Sequence, residues 1–133
     1  MIDRLNDGPF GVRLLRLARE VIGFRLGLVD SVVRDGLDED MFRQRLAAFV
    51  TLKIDGALRG CIGHLEPVST LVDSIESNAI NAAFNDHRFS PLAPEELDRV
   101  RIDISVLTRP SSLEYVDGQD LVDKLRPGID GVI

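Results

Sequence analysis

The chain has a single cysteine, Cys61, among 133 residues. One thiol cannot close an internal disulfide, so the fold has no covalent staple and the composition fits a reducing compartment. Positive charge is also scarce: 16 lysines and arginines stand against 22 aspartates and glutamates, a net charge of −6. With no basic run interleaved with aromatics, that balance argues against nucleic acid as the main partner. Only a gathering of Arg13, Arg16, Arg19 and Arg25 on one exposed stripe would reverse it. No apolar run approaches the roughly 18 residues a membrane span needs, and no signal peptide opens the chain. The expectation is a cytoplasmic protein without membrane contact. What is present is ordinary for a globular protein, with 44% hydrophobic and 29% charged residues. The length suffices for one domain with its own core.

Apolar residues at Phe10, Leu14, Leu17, Val21 and Leu28 recur near helical spacing, which predicts a helix from Pro9, capped by Asp7 and ending between Phe24 and Leu28. A short second helix is expected from Glu39 to Leu46, its acidic start favoured by the helix dipole. The pattern then changes to two strand-like runs, AFVTLKI and LRGCIG, on either side of Asp55-Gly56, a hairpin signal. A two-residue loop sets Leu52 opposite Arg59 and mixes polar with apolar on both faces. A three-residue loop, Ile54-Asp55-Gly56, pairs Leu52 with Leu58 and Val50 with Gly60, and collects the apolar residues on one face. It also aims Arg59 and Cys61 the same way, out of the core. Ser69 or Thr70 can cap a helix running to Phe84, and Ala82-Ala83 on its buried side implies close packing, most simply on the sheet. NDHRFSPLAPEEL reads as a loop with a helical turn at Pro94 to Leu97. VRIDISVL alternates cleanly as a strand. SLEYV reads as another strand, GQDLVDKL as a short helix capped by Asp117, and IDGVI as the start of one more strand. The class expected is α+β, a largely antiparallel sheet flanked by helices. The run ending at Ile133 has no polar tail, so the domain is expected to continue past it.

Candidate chemistry centres on LRGCIGH. A guanidinium such as Arg59 near a thiol favours the thiolate, which makes Cys61 the candidate catalytic nucleophile. Gly60 and Gly63 let a ligand or another backbone approach closely. His64 or His87 could serve as its base. The alternative is that Cys61 is a small packing residue and the glycines fit a crowded strand. Cys61, His64, Glu66 and His87 are ligand types for a metal, but the paired spacings of zinc sites are absent, so no metal or cofactor is expected. In the NDHRF loop, Arg88 could grip a carboxylate or phosphate with its planar fork. Asp86 could instead end the preceding helix and pair with Arg88, leaving Phe89 to plug the core.

LRGCIG, followed by AAFNDHRFSPL and ISVL, resembles the AMMECR family. That family is named after a candidate gene in a human chromosomal region for a syndrome with Alport disease, midface hypoplasia and elliptocytosis. Its bacterial and archaeal members are described as protein A of the AmmeMemoRadiSam system. The match runs in order from about Phe49 to Ile133, and the Pro9 to Leu28 helix fits more loosely. The resemblance implies a single domain over residues 1–133, two-lobed, with a smaller lobe and the signature motif in or beside a cleft. It also implies that a C-terminal segment is missing. Leu58, Arg59, Gly60, Cys61, Ile62 and Gly63, then Asp86, Arg88 and Phe89, are the positions carried over, whereas His64 and His87 depart from the pattern. The family has no established reaction. Its company implies Memo-like and radical-SAM proteins as partners. The reading that follows is an accessory or binding module, taking a small anionic ligand or a partner peptide through Arg59, Gly60, Gly63, Asp86 and Arg88. The alternative is an enzyme with Cys61 as nucleophile.

Overall fold

Leu14, Leu17, Ala18, Val21 and Ile22 fall on one side of a helix and are all buried, so the apolar periodicity near the start of the chain does what it predicts. The computed structural model describes residues 2–4 and 8–133. In chain order it contains β1 (Ile2–Arg4), α1 (Pro9–Arg25), α2 (Asp40–Arg43), β2 (Ala47–Ile54), β3 (Ala57–Gly63), α3 (Leu71–Phe84), a 3-10 helix (Pro94–Arg99), β4 (Val100–Leu107) and α4 (Gly118–Lys124). The four strands make one sheet in the order β1-β4-β2-β3, and every pairing is antiparallel. The fold class is therefore α+β, as expected.

Helices α1 and α3 pack on one face of the sheet. Ala48, Val50, Leu52, Ile102, Ile104 and Val106 supply that face of the core. Thr70 caps α3 by accepting a hydrogen bond from the Asp73 N–H at 3.2 Å, and Asp117 caps α4 by accepting from the Asp120 N–H at 2.9 Å. Both are residues the sequence nominates. Asn78, fully buried in α3, donates from Nδ2 to the Ala48 carbonyl at 3.0 Å and ties the helix to the sheet. Phe42 of α2 is buried and stacks on Phe10 at 4.5 Å, which anchors an element of only four residues.

Several expectations need correction. The N-cap of α1 is Gly8, with no side-chain cap; Asp7 lies outside the described residues. Helix α2 is shorter than the span to Leu46, because Gln44 is already extended and Ala47 begins β2. The β2–β3 hairpin closes in two residues, with Ile54 paired to Ala57. Asp55 and Gly56 both take positive φ, 51° and 79°, as a type I′ turn requires. The mixing of faces that argued against this loop is removed by an irregularity in β3. Lys53 pairs with Leu58 but Leu52 pairs with Gly60, so Arg59 is the extra residue of a bulge. From there Val50 pairs with Ile62 and Thr51 with Cys61. Neither SLEYV nor IDGVI forms a strand. Leu113, Tyr115, Val116, Val132 and Ile133 are exposed there, with no strand paired to them among the described residues.

Candidate functional site

The LRGCIG motif occupies the edge strand of the sheet, and each of its residues has a different neighbour for a local reason. Gly60 faces α3: a Cβ built on it overlaps the Ala82 carbonyl oxygen and stands 3.0 Å from the Ala82 carbonyl carbon. The glycine thus sets how closely strand and helix approach, and the small pair Ala82-Ala83 packs on the sheet as its composition implies. Gly63 has a different reason. A Cβ there runs into the Phe49 ring and comes within 2.6 Å of the Ala48 carbonyl oxygen, so the Phe49 side chain lies across the glycine.

Cys61 sits on the face of the sheet away from α1 and α3, and no helix packs on that face among the described residues. It is half-buried. Its Sγ lies 3.2 Å from Thr51 Oγ1, and Asp103 is the cross-strand partner of Thr51 on the other side. Thiol, hydroxyl and carboxylate thus form a transverse row over three strands. Phe49, Thr51, Lys53, Asp103 and Ser105 on this face are all half-buried. Lys53 Nζ stands 3.4 Å from Asp103 Oδ2.

The structure does not bring Arg59 to the thiol. The bulge turns its side chain to the 3-10 helix, where Nε and Nη2 donate to the two carboxylate oxygens of Glu96, each at 3.0 Å. Nη2 also reaches the Pro91 carbonyl at 3.4 Å. The pair is well covered, with side-chain exposures of 13% and 28%. Hydrogen bonding from Arg59 first, and from the Ala93 N–H next, holds the Glu96 carboxyl below its ordinary value.

Asp86 and Arg88 come to Cys61 from the other direction. The buried Asp86 accepts the Cys61 backbone N–H at 3.0 Å, and Arg88 Nη2 donates to the Cys61 carbonyl at 3.3 Å. Between themselves they form a two-pronged pair at 2.8 and 3.0 Å. Asp86 Oδ1 also accepts the Arg88 backbone N–H at 3.2 Å. Arg88 first, and the Cys61 N–H after it, hold the Asp86 carboxyl far below the usual carboxylate range. Asp86 is both the end of its helix region and a partner of Arg88, but its main work is across space, on the strand. Phe89 is only partly buried and lies under Arg88, 5.5 Å from guanidinium carbon to ring centre, so it does not plug the core.

His64 and His87 are both exposed, and neither hydrogen bonds to Cys61 among the described residues. No group of three or more metal-ligating side chains gathers among the described residues either. The four arginines of α1 do not form one stripe. Arg13 pairs with Glu39, Arg16 with Glu20, Arg19 donates to the Leu97 and Val100 carbonyls, and Arg25 lies over Phe84. Sequence reasoning missed Thr51 and Glu96. A cross-strand neighbour follows only from the register, and Glu96 stands 37 positions from Arg59 with no shared pattern.

The AMMECR1 family model matches residues 15–133. The chain belongs to that family. A protein of Methanothermobacter thermautotrophicus is 45% identical over 124 residues, covering 92% of this chain and 64% of the relative. One from Methanopyrus kandleri is 40% identical, covering 97% of this chain and 62% of the relative. The crystal structure of an uncharacterized protein from Pyrococcus horikoshii superposes with a TM-score of 0.68 at 34% identity, over 77% of this chain and 53% of that one. The chain thus spans a little under two thirds of these two archaeal relatives. As an AMMECR1 domain it has no assigned reaction. No helix among the described residues is long and apolar enough to cross a membrane.

Proposed function

We propose that this AMMECR1 domain is a binding module that docks a segment of a partner protein on the sheet face around Cys61, Thr51 and Phe49. One observation carries the reading: every charge that the two motifs bring to the strand is already matched internally. Arg59 is held by Glu96 and Arg88 by Asp86. An anion that took the Nε–Nη2 fork of either arginine would have to displace a carboxylate from a charge-assisted, two-pronged pair, whereas a peptide laid on the face beside them need not. The partner class that fits the resemblance is a protein of the same system, Memo-like or radical-SAM.

The reading as a cysteine enzyme is less well supported. A nucleophile needs a base within hydrogen-bond reach, and the neighbour of Cys61 Sγ is a threonine hydroxyl. Asp86, whose carboxylate reaches the Cys61 backbone across the edge, is already occupied by the Cys61 N–H and Arg88.

The test mixes the domain with the purified Memo-like and radical-SAM proteins of its own genome. It follows heat of binding together with the rate of Cys61 alkylation. Saturable binding that slows alkylation is the expected result. Absence of binding to either protein, together with burst release from an activated ester at Cys61, overturns the reading in favour of the enzyme.

A further inference from the structure

Helix α1 ends on a left-handed glycine. Gly27 has φ 74°, its N–H closes on the Phe24 carbonyl, and the Leu28 N–H closes on the Gly23 carbonyl at 2.9 Å, which turns the chain back over the helices. The returning segment has no regular structure until α2, yet it is pinned at two successive residues. The Val33 N–H donates to Glu20 of α1 at 2.8 Å, and Arg34 holds Glu76 of α3 through Nε at 2.9 Å and Nη2 at 2.7 Å. Residues 30–32, just before those pins, form one wall of a groove of about 790 Å³, and the end of α1 and the outer stripe of α3 form the others. That is the size of a small-molecule site, and the pins make it preformed. The groove is on the helix side of the sheet, whereas Cys61 is on the face away from α1 and α3.

Its lining is apolar at the floor and charged around it. Val21, Phe24, Val32 and Ile80 supply the apolar part, and the Phe24 ring is exposed. Both arginines of the groove are engaged within the fold: Arg34 pairs with Glu76, and Arg25 lies over the Phe84 ring at 5.9 Å. The carboxylates are not matched in the same way. Asp73 accepts the Thr70 hydroxyl at 2.7 Å but pairs with no cation, and Asp30 has no partner, among the described residues. What is left over is negative charge beside aliphatic and aromatic surface, in a chain that itself carries −6. We infer that this groove is a binding site for an apolar primary amine, a small molecule with a hydrocarbon body and an ammonium head. The body covers Phe24 and Ile80, which removes their apolar surface from water. The head meets the carboxylate of Asp30 or Asp73 in a charge-assisted hydrogen bond. An anion would meet like charge there, and a neutral ligand would leave both carboxylates unmatched.

The experiment titrates the full chain at pH 7 and low salt with hexylamine and phenethylamine, and with hexanol and phenethyl alcohol as their uncharged counterparts. Binding is followed by amide chemical shifts and by heat. Both amines are expected to bind saturably, with shifts centred on Phe24 and Ile80, and about tenfold or more tighter than the matching alcohols. Asp30→Asn changes a carboxylate that holds nothing in the fold, so its melting temperature should be that of wild type while amine affinity falls. Asp30→Asn/Asp73→Asn should weaken the amines by about tenfold or more; if that double variant does not fold, Asp30→Asn alone decides. Saturating amine should leave the alkylation rate of Cys61 unchanged, which keeps this site separate from the sheet face proposed for a partner. No saturable binding up to about 10 mM overturns the inference. So does equal affinity for amine and alcohol, unchanged amine affinity in the folded Asp variants, or protection of Cys61 by the amine.

Discussion

Gly60 of β3 faces the Ala82 carbonyl of α3 with no room between them for a side chain. The obstacle is backbone on both sides, so it cannot be relieved by a rotamer change. Gly60→Ala forces the edge strand away from the helix at the point where the LRGCIG motif is set. Overpacking of this kind costs about 1–3 kcal/mol where side chains can yield and more where they cannot. The expected loss is therefore at least about 3 kcal/mol, read by urea denaturation. A loss under about 1 kcal/mol would mean that strand and helix are not in this contact.

Arg59 and Glu96 form the other tie between the motif and the rest of the fold. The bond is two-pronged and well covered, so lysine is not an equivalent replacement. Arg59→Lys is expected to destabilise by about 1–3 kcal/mol. In a double-mutant cycle with Glu96→Gln the two losses should fall short of additivity by about 1 kcal/mol or more. Strict additivity would show that the two side chains do not act together.

The regular elements were legible because their signals are local. The periodicity of α1, the cap and small-residue face of α3, and the alternation of β4 each sit within one segment, and each formed. The hairpin was legible in its turn residues but not in its register. Asp55-Gly56 marks the turn, whereas the bulge at Arg59 that re-phases the strand depends on what α3 and the 3-10 helix offer to the two sides of β3. The site was half legible for the same reason. LRGCIG and the Asp86–Arg88 loop stand out as motifs, but that one clamps the backbone of the other is a contact across 25 positions. No spacing rule contains it. SLEYV and IDGVI failed as strands because β propensity describes a residue's fit to a sheet and does not supply the neighbour.

Thr51 Oγ1 is the polar neighbour of the Cys61 thiol, 3.2 Å from Sγ. Thr51→Val keeps the shape and removes the hydroxyl. It is expected to cost about 1 kcal/mol or less and to change the native alkylation rate of Cys61 by less than about tenfold. If Thr51 were orienting a reactive thiolate, alkylation would fall by about 100-fold or more, and that result would favour the enzyme reading over the binding one. Cys61→Ser, which preserves a hydrogen bond to Thr51, should fold as the wild type does.

Asp86 and Glu96 predict how the fold responds to acid. Both carboxyls lie below their ordinary values of 3.8 and 4.5, through the hydrogen bonds of Arg88 and Arg59 respectively. The unfolded chain therefore takes up protons at these groups before the folded one does. Their contribution is fully present above the ordinary values and is lost as pH falls through the lower, folded-state ones. Stability contributed by these two groups should be flat from pH 8 to about pH 5.5 and should decline below about pH 4.5. Glu96→Gln and Asp86→Asn should each start from a lower stability at pH 7 and show a shallower decline between about pH 4.5 and pH 2. Chemical denaturation at fixed pH steps measures it. An acid slope unchanged in both variants would mean that neither carboxylate is paired in solution as it is in this structure.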